Sequence, residues 1–424
     1  MSRAATPRLG AYVGLAAFGL LAALVFGRPE IVALAAPFAL VVVAGLLLGA
    51  SPEIDAQLEL TRDRALEGDE VELELRLASE RTVSELELYL ELPRGLTLAE
   101  GQNPTALRLG GGDVRKVSFR LDAEHWGGYL VGEVVIRARD AFALFVHDQE
   151  LDLRVPLKIY PRAEALRHMV RPHETQVFAG NQVARAKGEG IEFADLRPFT
   201  AGDRIRRINW RASARGRELW VNEHHPERNT DVVVFLDSFS EVRRGEQSTL
   251  DLSVRAAASL LAGYIGQRDR VGFVSFGGII RWLQPGTGLV QLYRVVDSLL
   301  DTEITLNYAW KDIELIPPGT LPPKALVVAL TPLLDERTVK ALLDLRGRGF
   351  DLAIVDVSPI PFAKPGREEL EQLAYRLWAM RREALRSRYE RVGAAVVEWR
   401  EGTPLAAVVE EVTAFRRYAR HAHG

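Results

Sequence analysis

Asp231-Val-Val-Val-Phe-Leu-Asp237, the amphipathic stretch Leu250–Gln267 and Val271-Gly-Phe-Val-Ser-Phe276 decide the fold of the C-terminal half. Each short apolar run is uninterrupted, as a strand buried on both faces must be. The stretch between them has the three-to-four-residue spacing of a helix. The same rhythm continues downstream. Leu289–Leu300 reads as a helix, Ala325–Leu330 as a strand, Glu336–Leu345 as a helix and Leu352–Val357 as a strand. A charged helix over Glu368–Arg391, a strand over Ala394–Trp399 and a helix over Pro404–His421 close the chain. Strands alternating with helices predict a doubly wound parallel sheet covered by helices on both faces over residues 229–424. Ligands in such folds sit at the carboxyl ends of the strands.

Upstream the pattern changes twice. Val71-Glu-Leu-Glu-Leu-Arg-Leu77 and Leu86-Glu-Leu-Tyr-Leu-Glu-Leu92 alternate with period two, and turn signals recur at Gly68, Gly95, Gly110–Gly112 and Gly127–Gly128. Alternation of this kind predicts an antiparallel, immunoglobulin-like β-sandwich over residues 53–161, with Asp140–Phe145 between its last strands. Further upstream, Ala11–Gly27 and Ile31–Ala50 carry no charge, and only Arg28, Pro29 and Glu30 separate them. Each approaches the roughly 17–25 residues that cross a bilayer. Two such runs with so short a turn read as a transmembrane helical hairpin over residues 1–52, whereas a signal peptide would supply one. Arg3 and Arg8 precede the first run, so the positive-inside rule places the N-terminus in the cytoplasm. After two crossings the soluble domains are cytoplasmic too, which makes this a multi-pass cell-membrane protein with the lipid bilayer as one partner.

The chain has 424 residues, a formal net charge of −3 and no cysteine. Disulfides, thiolate zinc sites and cysteine nucleophiles are excluded, and there is no global pull toward nucleic acid. Against that near-neutral background residues 162–228, a polar connector with some helical character at its start, hold a dense motif: GEGIEFADLRPFTAGDRIRRINWRASARGRELWVNE, Gly188–Glu223. Seven arginines (Arg197, Arg204, Arg206, Arg207, Arg211, Arg215, Arg217) stand among Glu192, Asp195, Asp203 and Trp210. Three readings compete: an internal ion-pair network, a surface for an acidic protein partner, and a phosphate or nucleic-acid site. No nucleic-acid module accompanies the motif, so the last is the weakest. Trp210 and Trp220 suit either core anchors or a binding surface. For catalysis, Glu192 with Asp203 offers a carboxylate pair for hydrolysis. No Walker A loop or Gly-x-Ser-x-Gly turn is present, and His173, His224 and His225 near the motif suit packing equally well.

These residues resemble a known bacterial family, the "domain of unknown function 58", and the α/β half resembles a von Willebrand factor type A domain. The family's first box is matched by Glu192-Phe193 and Leu196-Arg197-Pro198-Phe199. The second is matched by Gly202-Asp203, Arg206 and Ile208-Asn209-Trp210, with Arg207 beside it, and the closing run by Ala212-Ser213-Ala214-Arg215. The resemblance implies an adaptor or assembly role at the membrane rather than an enzyme. It also implies partners of two kinds, a MoxR-type AAA+ ATPase and other type A-domain proteins. Metal-binding type A domains use Asp-x-Ser-x-Ser, a distant threonine and a later aspartate. Here Asp237-Ser238 stands, Phe239 and Glu241 fill the serine places, Thr287 is the candidate threonine, and Asp335 lies beyond Thr331-Pro332. The resemblance therefore implies a degenerate site of Asp237, Ser238, Thr287 and Asp335, with magnesium or calcium as the ion it would take and no other cofactor. The alternative for Asp237 and Ser238 is capping of the following turn.

Overall fold

The structure is a computed structural model and describes residues 2–48, 53–139, 142–171, 193–200, 203, 205, 208–214, 218–224, 231–245, 247–302, 304, 316–317, 319–400 and 402–422. Glu192, Gly202, Arg206, Arg207 and Arg215 of the motif lie outside them, and Phe193 is described in backbone only. The chain divides into two compact units, Met1–Arg162 and Ala163–Gly424.

The first unit begins with a short strand, Ser2–Ala5, followed by the helices Pro7–Phe26 and Glu30–Leu48. Pro7 opens the first helix earlier than the apolar run alone suggests, because proline's fixed φ suits the first turn. Gly27 closes it in the left-handed region at φ 59°, which a residue without Cβ adopts freely. Mean hydropathies of 2.2 and 2.4 make both helices long and apolar enough to cross a bilayer. Their outward side chains are apolar, with Phe18, Leu24 and Leu47 all exposed. The helices approach closely where Gly19 faces Ala35, since a Cβ on Gly19 would stand 2.6 Å from that of Ala35.

Two sheets follow. One runs in the order Ile54–Leu60, Glu70–Ser79, Val114–Ala123, Leu96–Glu100. The other runs Ser2–Ala5, Phe145–Tyr160, Gly127–Arg139, Val83–Glu91, Thr105–Leu109, and Arg64–Leu66 pairs in parallel with Phe145–Tyr160. The period-two pattern is the cause of the core. Val71, Leu73, Leu75 and Leu77 from one sheet and Leu86, Leu88 and Leu90 from the other point inward into a single apolar cluster. The intervening glutamates and arginines pair on the outside, as Arg76 does with Glu59 and Glu74.

In the second unit six strands run in the order Arg281–Gly286, Arg270–Gly277, Asp231–Ser238, Leu326–Thr331, Asp351–Val357, Ala395–Trp399. All adjacent pairs are parallel except the first, whose edge strand Arg281–Gly286 the apolar pattern did not reveal. Asp231–Ser238 is buried at every residue, as a strand covered on both faces must be. One face packs Val233, Phe235, Val327 and Ile354 against Ala341, Leu342 and Leu345 of the helix Glu336–Gly347 and Tyr389 of the helix Glu369–Arg391. Thr249–Gly266 packs on the central strands, its start held by a reciprocal Ser248–Asp251 capping box. Residues 162–171, expected to have some helical character, are irregular instead. Their polar groups are taken up by neighbours: Glu164 N–H donates to Ser259 Oγ, Tyr264 Oη–H donates to Val170 O, and Arg171 contacts Asp269. A small antiparallel pair, Phe193–Pro198 with Trp220–His224, carries the arginine-rich motif.

Candidate functional site

Two sites follow from the sequence, and each sits where its local structure dictates. Within the motif, Arg197 closes a fork on Asp203, with Nη1 to Oδ2 at 2.7 Å and Nη2 to Oδ1 at 2.6 Å. Thr200 adds its backbone N–H at 2.8 Å and its hydroxyl at 3.0 Å to the same carboxylate. The Arg197 guanidinium, then the Thr200 backbone, hold Asp203 well below the usual carboxylate range. Such a group is a poor proton acceptor near neutral pH, so Asp203 does not suit the acid–base part proposed for it with Glu192. Asn209 caps the short helix Trp210–Ser213, accepting from Ala212 N–H at 2.9 Å, while its amide donates to Asn222 Oδ1 at 2.7 Å. Ser213 Oγ accepts from Trp220 N–H at 2.8 Å. Arg197, Asp203, Asn209 and Ser213 thus fold the motif upon itself, Leu196 and Pro198 flank Arg197 in the strand Phe193–Pro198, and Trp210 is left exposed. Asn222 belongs to this set and lacked a sequence signal, because its partner lies 13 residues away across a turn.

The second site lies at the carboxyl ends of the parallel strands. Asp237 is buried there and both its oxygens are occupied: Thr331 Oγ1–H donates to Oδ2 at 2.6 Å, and Phe239 N–H donates to Oδ1 at 3.1 Å. Ser238 Oγ lies 3.2 Å from Ser275 Oγ, and a Cβ on Gly277 would stand 2.2 Å from Ser238 Oγ, so only glycine fits beside it. Asp335, the proposed later aspartate, instead caps the helix Glu336–Gly347 by accepting from Arg337 N–H at 2.8 Å. Arg337 also grips it through Nε at 2.9 Å and Nη2 at 2.8 Å. The same guanidinium covers the Phe239 ring at 3.9 Å, which brings fixed positive charge to the residue filling the first serine place.

Thr287 lies at the other end of the sheet. The register pairs Val271 with Gly286 but Asp237 with Phe276. Phe276 is five residues along the same strand from Val271, which separates the two ends by about 16 Å at roughly 3.3 Å per residue. Thr287 therefore does not join Asp237 and Ser238, whereas Asp335 is near enough to push the Asp237 carboxyl up but is held by Arg337. Among the described residues no group of three or more His, Cys, Asp or Glu could hold one ion. The donors present do not suit a divalent cation, because protein N–H and O–H groups already take the Asp237 oxygens and Arg337 supplies positive charge nearby.

Burial pushes Asp237 up to about 6, against the hydrogen bonds from Thr331 and Phe239. A carboxyl raised in the folded state stabilises the fold below its unfolded value and loses that contribution as pH rises through the folded one. Between about pH 4 and pH 7, Asp237 is expected to remove about 2–3 kcal/mol of stability. In Asp237→Asn that fall should shrink by the same amount, measured as urea unfolding at a series of pH values. An unchanged slope would count against the buried, protonated carboxyl.

Two strands along from Asp237, Asp356 is fully buried one residue before the end of Asp351–Val357. Arg382 Nη2 donates to its Oδ1 at 2.5 Å, and Arg386 Nε stands 3.4 Å from Oδ2. Burial pushes Asp356 up to about 6 against the pull of both guanidiniums. Arg382 Nη1 also donates to Pro332 O at 2.6 Å, while Arg386 reaches Glu398 at 3.2 Å. This network was not foreseen, although an aspartate at a strand's carboxyl end and an arginine-rich helix were both visible.

Two apolar N-terminal helices and a β-rich, multi-sheet body therefore define the class. Within it, the sequence model of the family described as "Protein of unknown function DUF58" matches residues 195–395, which include the motif from Asp195 onward and most of the second unit. The chain is also similar to the "Uncharacterized protein YeaD" of Bacillus subtilis (strain 168), at 23% identity over 162 residues, 38% of this chain and 39% of that protein. The match thus spans about two-fifths of that relative's length. Among solved structures, alpha-2-macroglobulin from Escherichia coli shares 20% identity over 30% of this chain and 20% of that one, with a TM-score of 0.24. The cupredoxin domain of amoB from Nitrosocaldus yellowstonii shares 12% over 25% and 86%, with a TM-score of 0.19. Scores this low carry no argument.

Proposed function

We propose that the protein is a membrane-anchored, cytoplasm-facing adaptor that works through protein–protein contacts, with a MoxR-type AAA+ ATPase and other type A-domain proteins as partners. In this reading the parallel-sheet unit is a von Willebrand factor type A-like head that has given up metal binding. The two apolar helices are its anchor. One observation carries the topology. Ser2–Ala5, before the first helix, pairs antiparallel with the strand Phe145–Tyr160, in a register from Ser2↔Asp148 to Ala5↔Phe145. Thr6 continues the attachment, donating its backbone N–H to Leu144 O at 2.9 Å and its hydroxyl to Ala143 O at 2.7 Å. A chain tied into one sheet both before and after two spanning helices must leave the bilayer on the side where it entered. Arg3 and Arg8 support the cytoplasm as that side by the positive-inside rule.

The absence of cysteine makes the test clean. Single cysteines at Glu30, Glu53 and Glu410 are exposed to a membrane-impermeant maleimide in intact cells and after lysis. Labelling of Glu30→Cys alone in intact cells is expected, with all three labelled after lysis. Labelling of Glu30→Cys and Glu53→Cys from the same side would sink the hairpin. Crosslinking in the same membranes should recover an AAA+ ATPase, and its absence would remove that partner.

A further inference from the structure

The helix Glu369–Arg391 carries two apolar faces. Its inner face holds Trp378, Arg382, Leu385 and Tyr389 against the body of the second unit. On the opposite face Leu370, Leu373, Leu377 and Met380 are 75%, 51%, 58% and 69% exposed. Their spacing of three, four and three residues is a heptad seam. At roughly 100° per residue they form one stripe about 120–180° away from Arg382. Four large apolar side chains aligned in this way are not the scattered exposure that any surface shows.

Beside the stripe lies a cleft of about 520 Å³ between this helix and Glu336–Gly347. Leu334, Val339 and Trp378 form its apolar wall, and Lys340, Arg381, Arg382 and Arg388 bring positive charge to it. Its acids are engaged, Asp335 by Arg337 and Glu336 by Arg381 at 2.9 Å. Arg382 is 4% exposed, and its Nε is buried without a hydrogen-bond partner.

We propose that this stripe and cleft dock an acidic amphipathic helix of a partner protein. The proposal rests on the adaptor reading and assigns it a surface. The heptad spacing selects a helix as occupant, since knobs at three- and four-residue intervals fit the holes of another helix. The basic flank of Arg388, beside Arg381 with its Glu336 partner, selects acidic residues beside the occupant's apolar seam. The same charges disfavour a parallel second copy of this chain, which would set Arg376 against Arg381 of the other helix.

The test uses the full-length protein in detergent and two synthetic helical peptides with leucine at the seam positions. One peptide has glutamate at the flanking positions and the other has lysine. Fluorescence anisotropy is expected to show the glutamate peptide binding at least roughly tenfold more tightly, with that preference shrinking as salt rises. The double variant Leu373→Glu, Leu377→Glu changes only exposed side chains and should abolish binding while the circular dichroism and unfolding midpoint stay unchanged. Arg381→Glu with Arg388→Glu should reverse the preference toward the lysine peptide. Equal affinity for both peptides, or binding that survives the leucine variants, would overturn the proposal. So would a homodimer in solution that Leu377→Glu dissociates. Recovery of an AAA+ ATPase undiminished by the leucine variants leaves the adaptor reading standing and removes this surface from it. Peptide binding without any recovered ATPase keeps the surface and removes that partner.

Discussion

Replacing Arg382 with alanine should destabilise the parallel-sheet unit by about 3–5 kcal/mol, because it leaves a buried carboxylate without its guanidinium. Asp356 is fully buried, and Arg382 is its nearest cation as well as the donor to the Pro332 carbonyl. Arg386 remains at 3.4 Å, too long for a good hydrogen bond, so it compensates in part. The loss should depend on pH with a definite sign. Without Arg382 the Asp356 carboxyl rises further and is neutral at mildly acidic pH, so the variant should approach the native chain there and fall away above neutrality. The double variant Asp356→Leu, Arg382→Met should lose much less than Arg382→Ala, since it buries no unpaired charge. Urea unfolding at mildly acidic and mildly alkaline pH gives the measurement. A loss below about 1 kcal/mol at the higher pH would show that the pair is solvated and contributes like a surface bridge.

Removing residues 1–52 should move the protein from the membrane pellet to the soluble fraction. Both apolar helices go with that segment, and the outward faces of the chain from residue 53 to 162 are polar, with glutamate and arginine alternating against buried leucines. The strand Ser2–Ala5 is lost as well, which bares the edge of Phe145–Tyr160 over Phe145–Asp148. Exposed edges invite pairing with other chains, so a fraction of the truncated protein should self-associate. A truncated protein that stays in the pellet after an alkaline carbonate wash, yet is monomeric once detergent is added, would mean that another surface holds the membrane.

The extent to which each site was legible follows from the distance between its parts along the chain. The motif reads well locally. Arg197 and Asp203 stand six residues apart, Asn209 caps a helix that starts at the next residue, and Ser213 meets Trp220 seven residues on. Short loops bring such groups together at small entropic cost, so density of charge in sequence translates into contact in space. The carboxyl-end site does not read this way. Asp237 meets Thr331 across 94 residues, and Asp356 meets Arg382 across 26. Thr287 and Asp335 are what the resemblance to type A domains implies, yet register carries Thr287 to the opposite end of the sheet and Asp335 caps the helix Glu336–Gly347.

What the sequence by itself determined is the ladder of elements: two apolar helices, alternating strands whose leucines face one core, and uninterrupted apolar strands separated by amphipathic helices. Hydrophobic periodicity does this, because burial of apolar surface acts on each segment before its neighbours are chosen. The tertiary structure alone decided which polar groups distant in sequence satisfy one another. A buried carboxylate takes whatever donor the strand order and register bring within about 3 Å, and that donor can come from anywhere in the chain. For Asp237 it brings Thr331 across 94 residues, with Arg337 nearby, while the Phe239 N–H contact is the local capping that stood as the alternative to a degenerate metal site.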